Sequence, residues 1–522
     1  MSGLTLTPTT NSDTAILSIA PQRLRDNNGR FEVSQAENQF EADFEYGPQN
    51  MRWESFTAGG GSVVQVSSQG GIRMSVTSAS GDLCIRQSRP YIRYQAGKPN
   101  YMSSGILFGP ANLNQRQRCG FFDDSNGLFF EQADPTSTNP SGMAVVYRSD
   151  VGGVPFDTRI EFPDWNDPDN YKSRINWNAI QMLWVEYAWY GAGLLRWGVT
   201  INGESIVLHQ TGVGNRVGQI TTWARTGNIP VRYELRNVGA SVASQMTHWG
   251  VSVLTKGKQD PQRGFTYGYG MKAGSLTRSP AASATRFPLL SVRYRVMGTL
   301  EYGVDATYSG ANGTLPAGGA TITAGSTTSI TVSGTPWTAN QWVGKFVFFR
   351  GLGSSGQGQI GRITANTTNT LTFQSVVTGG ALSNAPGVGA NYIVGLVNRG
   401  QILPQFLNIF SSNNCMLELI TSTFLSPVVL TGAAWETAYS LGSVNSFAER
   451  DISATAVSGG EVVYNSPLPA SGGLQAFDLT DFFPLYNTVL GNAPDILTVA
   501  ITTPSGFNGN VGAGLVGQEA MS

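Results

Sequence analysis

The densest run of oxygen-bearing side chains is Asp164-Trp165-Asn166-Asp167-Pro168-Asp169-Asn170. Alternating Asp and Asn oxygens are the hard ligands that Ca²⁺ takes. Asp164, Asn166, Asp167 and Asp169 are therefore the candidate metal ligands. The run lacks the EF-hand's glycine and its bidentate glutamate, and Asp-Pro and Asp-Asn pairs are also ordinary turn formers. It reads either as a turn or as a calcium or glycan loop. In the second case Trp165 offers a flat apolar face on which a sugar ring could stack.

A second candidate is Asp123-Asp124 with Glu131, set among Phe121, Phe122, Phe129 and Phe130. Two carboxylates about 5–9 Å apart across a cleft suffice for glycoside hydrolysis. The alternative is a solvated Asp-Asp-Ser-Asn-Gly hairpin between two buried strands. Basic charge concentrates locally at Arg86, Arg89, Arg93, Arg116 and Arg118, with Tyr91 and Tyr94 between them. Such a mixture can bind nucleic acid, and it is also enriched at subunit interfaces. With 33 Lys+Arg against 34 Asp+Glu, the balance favours an interface. Arg86, Arg89, Tyr91, Arg93 and Tyr94 are the candidate contact residues, and nucleic acid is not an expected partner.

The remaining routes to catalysis are few. There are 2 histidines, His209 and His248, so a three-histidine zinc site is excluded and HExxH is absent. No GxSxG elbow, Walker A motif or dinucleotide fingerprint is present. Neither histidine is assigned a role, and no cofactor is expected. Cys84, Cys119 and Cys415 are odd in number and far apart, which predicts buried thiols made in a reducing compartment.

The elements that would position these residues are strands. Runs such as SVVQVSS (62–68), IRMSVTS (72–78), AVVYRS (144–149) and VRYEL (231–235) alternate between turn signals, as sandwich or barrel strands do. In 181–209, two strands flank Gly191 and Gly193, and Asn202-Gly203 supplies a tight hairpin. The strand grammar of this meander resembles that of concanavalin-like lectin sandwiches. Short helical candidates are 35–44, where a strand is equally compatible, and 478–486. The expected class is all-β.

Composition divides the chain. Residues 1–30 are polar and read as an anchoring arm. Residues 31–297 carry eight of the 11 tryptophans and read as a large lectin-like, jelly-roll sandwich. Residues 304–396 shift to Gly, Thr, Ser and Ala, with a Gly-Ser loop at 351–358. They read as an inserted small β-barrel or Ig-sized module. Residues 400–522 read as a C-terminal β-sandwich into which 289–298 could pair. There is no apolar run long enough to span a membrane and no signal-peptide pattern. Charged residues are 13% of the chain, about half the usual share. So few charges protect a surface poorly against association and suit a subunit packed among neighbours.

Several phrases resemble tailed-phage virion structural proteins of the β-sandwich appendage or decoration type. They are FEADFEYGPQNMRWESF (40–56), IRQSRPYIRYQAGK (85–98), RQRCGFFDDSNGLFFE (116–131) and SATAVSGGEVVYNS (453–466). The insert resembles a small β-module of phage structural proteins through its W-x-x-N-Q-W-V-G and later I-T-x-N-T phrases. The resemblance implies a virion component made in the host cytoplasm, on a capsid, neck or tail, assembled with other virion proteins and with itself. A trimer is the expected stoichiometry, by analogy with phage fibres. No catalytic motif accompanies it, so a non-enzymatic chain is expected. The alternatives are a carbohydrate-binding adhesion module for a host surface glycan and a glycan-depolymerising enzyme.

Overall fold

The computed structural model describes residues 35–520 apart from 216, 217, 219, 259–263, 272–275, 283, 284, 299, 300, 305–318, 351–357, 438–445, 447, 471, 472, 481, 483 and 487–494. The arm 1–30 and most of the Gly-Ser loop 351–358 lie outside the described residues.

Strands dominate, and among the described residues every ladder between them is antiparallel. The described residues are all-β, in stacked antiparallel sheets. The candidate helix at 35–44 is the strand Glu37–Ala42, and 478–486 holds ends of two short strands, Gln475–Asp478 and Leu485–Tyr486. Both stretches pair with distant strands, and those ladders override the weak helical spacing.

The first sandwich is built from two sheets. The back sheet runs Glu204–Gly212, Leu194–Ile201, Gln181–Tyr187, Asn100–Leu107, Ser244–Thr255, Gly71–Val76 and Ser62–Val66, with Glu37–Ala42 added on Ser244–Thr255. The front sheet runs Phe156–Glu161, Met143–Ser149, Gly127–Ala133, Gln115–Phe122, Val231–Asn237, Leu83–Ser88 and Trp53–Ala58. Their inner faces share one core that includes Trp53, Phe121, Phe130, Trp197, Trp223 and Tyr233. The Asn202-Gly203 turn has φ 54° and 80°. Both values lie in the left-handed region that a type I′ hairpin requires, which is why Asn and Gly stand there.

Among the described residues the insert is one seven-stranded sheet, from Tyr302–Val304 to Asn391–Gly395 in sequence. Its strand Phe346–Arg350 shows how the module is placed. Val347 and Phe349 face the module's own core with Trp337, Trp342 and Tyr392. Phe346 and Phe348 face the other way, into a second core with Leu83 and Ile85 of the front sheet. Period-2 alternation thus gives one strand two hydrophobic jobs.

The C-terminal sandwich takes strands from both sides of the insert. Phe265–Gly270 pairs with Val511–Ala520, and Phe287–Tyr294 pairs with Ile496–Thr502 and Ala448–Asp451. The pairing expected of 289–298 is seen in Phe287–Tyr294; the expected boundary at 297 is corrected by Phe265–Gly270, which also belongs to the last body, so the last strand of the first sandwich is Ser244–Thr255. Alternation announces a strand, but its partner is chosen by non-local pairing.

A glycine pair brings the insert against the 150–155 loop. A Cβ on Gly344 (φ +83°) would lie 2.7 Å from the Gly153 Cα. Gly344→Ala is expected to lower stability by about 1–3 kcal/mol through overpacking and backbone strain. A denaturant midpoint measured against wild type checks this.

Candidate functional site

Asp123 and Asp124 open the turn between Gln115–Phe122 and Gly127–Ala133, where Phe122 pairs with Gly127. Asp123 closes the turn itself: its Oδ1 accepts the amides of Ser125 (2.7 Å) and Asn126 (2.8 Å). The hairpin alternative therefore describes the backbone, but the tip is not solvated. Asp123 is 2% exposed because the other two bodies close over it.

Arg399, at the entry to the C-terminal body, donates to Asp123 Oδ2 at 2.8 Å. Arg362 of the insert donates to Asp124 Oδ2 at 2.8 Å, to Asp150 Oδ2 at 3.0 Å and to the Ser125 hydroxyl. Arg225 also donates to Asp150 Oδ2, at 2.8 Å. Tyr91 adds its hydroxyl to Asp123 (3.3 Å) and its carbonyl accepts from Gln401. The result is a buried charge clamp that ties all three bodies to one turn. Burial pushes the Asp123 carboxyl up, but Arg399, the Asn126 and Ser125 amides and Arg362 hold it below its ordinary value. Burial wins at Asp124, which is raised despite Arg362, with the Asp123 charge adding to the rise.

Glu131 belongs to a second network, on the outer face of the front sheet. It accepts from Arg118 (2.6 Å) and Arg159 (2.8 Å). Glu234 accepts from Arg118 (3.0 Å) and Arg232 (2.8 Å), with Arg236 at 3.7 Å. Arg148 holds Asp157 through two bonds of 2.7 and 2.8 Å. Burial pushes Glu234 up, yet Arg232, Arg118 and Arg236 hold it well below the carboxylate range. With Arg116 and Glu161, six arginines meet four carboxylates in this network.

The candidate contact residues are corrected in part. Arg86 is 1% exposed and sits in the sandwich core over Phe44 and Trp53, donating to Ser55 and to the Pro48 carbonyl. Burial pushes its guanidinium down to about 9. It cannot reach another subunit. Arg89 pairs with Asp495, so with Tyr91 it serves an interface inside the chain, between the first and last bodies. Arg93 and Tyr94 are half-buried, Tyr94 against Tyr187 and Trp189.

The calcium and glycan readings of 164–170 are corrected too. Trp165 is 3% exposed; its indole N–H donates to the Ile160 carbonyl at 3.0 Å and its ring packs on Phe162 and Trp177. No face is left for a sugar. Asp167 accepts the amides of Tyr171 (2.9 Å) and Lys172 (3.0 Å), and Asp169 accepts that of Val207 (2.8 Å). Asn166 accepts from the Gln210 amide and donates to the Gln210 carbonyl, and Asp164 is exposed. The oxygens serve backbone groups, and among the described residues no cluster of acidic, His or Cys side chains could hold a metal. Added Ca²⁺ is expected to leave the unfolding temperature unchanged. Asp167→Ala is expected to cost about 1–3 kcal/mol by stranding two amides. Calorimetry with and without calcium checks both.

Both histidines have structural surroundings. His248 stacks on Tyr233 at 3.8 Å, and burial keeps it neutral. His209 Nδ1 accepts the Asn166 amide. The three thiols are buried and unpaired, and burial pushes Cys84 up to about 11.

Sequence reasoning passed over Arg362, Arg399, Asp150 and the triplet Arg232, Glu234, Arg236. The triplet had a signal: alternate charges in a strand whose other face is apolar. The clamp partners had none.

No family model and no curated protein matches this chain. Similar solved structures include a glycosyl hydrolase family 16 protein from Mycobacterium smegmatis (10% identity, 42% of this chain, 100% of that one, TM-score 0.28). Others are the Crh5 transglycosylase (12%, 42% and 88%, TM-score 0.28) and the carbohydrate recognition domain of Emp47p (12%, 43% and 99%, TM-score 0.25). This likeness concerns fold and assigns no activity to the chain. It does correct the expectation of a non-enzymatic protein: structures similar to this one include a glycosyl hydrolase and a transglycosylase, so that exclusion is withdrawn.

Proposed function

We propose that the chain is a structural subunit of a tailed-phage virion, one that forms or decorates a capsid, neck or tail appendage. The observation that carries this reading is the clamp. One β-turn of the first sandwich is gripped by Arg362 of the insert and Arg399 of the C-terminal body. The carboxylates that looked most like a catalytic pair thus hold three β bodies together. One of the phrases that resemble virion proteins, 116–131, includes this turn, and the low charge content suits a packed subunit. A symmetric homo-oligomer, with a trimer as its stoichiometry, belongs to the same proposal.

The test uses antibodies against the full chain on purified particles of the phage that encodes it. Labelling at a fixed place on the particle, with a trimeric mass in sedimentation, supports the proposal. A chain found in the lysate but never on particles overturns it, and a monomeric mass overturns the trimer.

A further inference from the structure

We propose that a groove on the outer face of the back sheet binds a neutral oligosaccharide. The groove measures about 580 Å³, within the range of small-ligand sites. Small residues of two central strands make its floor: Ser103 and Gly105 of Asn100–Leu107, and Gly250 and Ser252 of Ser244–Thr255. Met102, Ile106, Val251 and Val253 of the same strands point into the core, so alternation turns Ser103 and Ser252 outward. Ser103 stands opposite Ser252 in the ladder, and Ser252 stands opposite Glu41 of the next strand. Ile180 (61% exposed) and Met182 (48%) form one wall. Asp43 and Arg52 line the side towards Glu41.

The polar groups here are not consumed by the protein. Ser103 is 8% exposed, yet its hydroxyl faces the groove with no partner among the described residues. The Ser252 hydroxyl and the Asp43 carboxylate also have none. The Arg52 guanidinium rests on the Phe40 ring and has no hydrogen-bond acceptor among the described residues. Glu41 accepts from Asn38 through Oε2, which leaves Oε1 open. The outer face of the front sheet is different, since Arg118, Arg148 and Arg232 there are matched by carboxylates. A hydroxyl as buried as that of Ser103 costs free energy while unbonded, and a ligand's polar group recovers it.

These groups also decide the class of ligand. Serine hydroxyls donate and accept, carboxylates accept and guanidinium donates. Together they match a row of hydroxyls, each of which does both. Glu41 and Asp43 against Arg52 leave the groove net negative, which disfavours an anion. The exposed apolar wall suits the C–H face of a sugar ring. A peptide strand would add to a free sheet edge, whereas the floor strands are already paired on both sides. The inference does not rest on the virion proposal, and either can fail alone.

The test is calorimetric titration of the full chain with maltohexaose, cellohexaose and mannohexaose. Hexagalacturonate and spermidine are the anionic and cationic controls. At least one neutral hexaose is expected to bind more tightly than either control. Asp43→Ala should weaken it about tenfold, the scale of one charge-assisted contact, and Ser103→Ala about fivefold, the scale of a neutral one. Asp43 is exposed, so its variant keeps the test usable if Ser103→Ala fails to fold. Failure of every neutral hexaose to bind overturns the proposal, as does binding that survives both substitutions. Hexagalacturonate or spermidine binding as tightly as the hexaoses overturns the neutral-saccharide assignment.

Discussion

Asp123→Ala is expected to destabilise the chain by about 3–5 kcal/mol, because it leaves a buried cation without its counter-charge. Arg399 loses its 2.8 Å acceptor, and the Ser125 and Asn126 amides lose theirs. The Arg399 side chain is only 11% exposed, so water replaces the carboxylate poorly. The loss should fall on the contact between bodies as well as on the turn. Limited proteolysis should then release fragments that wild type protects, alongside a lowered denaturant midpoint. Asp123→Asn, which keeps an oxygen for the amides, should recover part of the loss. A midpoint unchanged from wild type in Asp123→Ala would show that the clamp contributes nothing to stability.

Glu234→Gln is expected to have a comparable effect, again about 3–5 kcal/mol, since Arg118, Arg232 and Arg236 would then repel one another. Adding Arg232→Met should restore much of it by removing one of the three charges. The same chemistry sets the acid response. Glu234, Glu131, Asp123 and Asp157 are all held below their ordinary values. Each contributes stability that is present above its unfolded pKa and lost as pH falls through the folded one. Asp124 has the opposite sign, because its folded pKa is raised. Its contribution is present below its unfolded pKa and lost as pH rises through the folded one. Four groups outweigh one, so stability should fall as pH drops below about 4. Unfolding temperatures across an acid pH series check this, and Glu234→Gln should flatten the dependence.

Trp165 shows how far residue type can be read. A tryptophan among aspartates looks like a sugar platform. Here the aspartates cap backbone amides, and the turn they build drops the indole onto Phe162 and Trp177. Arg86 gives the converse case: a residue expected at a surface lies in the core, its charge resting on aromatic faces. Neither placement is written in local spacing.

The sequence by itself determined what depends on neighbours in the chain. Period-2 alternation set the all-β class, Asn202-Gly203 set its hairpin, and a change of composition marked out the insert. Asp123-Asp124-Ser125-Asn126 specified its own turn through side-chain acceptors. Only the tertiary structure decided what those aspartates do. Their guanidinium partners lie 238 and 276 residues away, in two other bodies. A carboxylate in water and a carboxylate in a buried clamp are spelled the same way; burial and the arrival of a distant cation separate them, and both are set when the sheets pack.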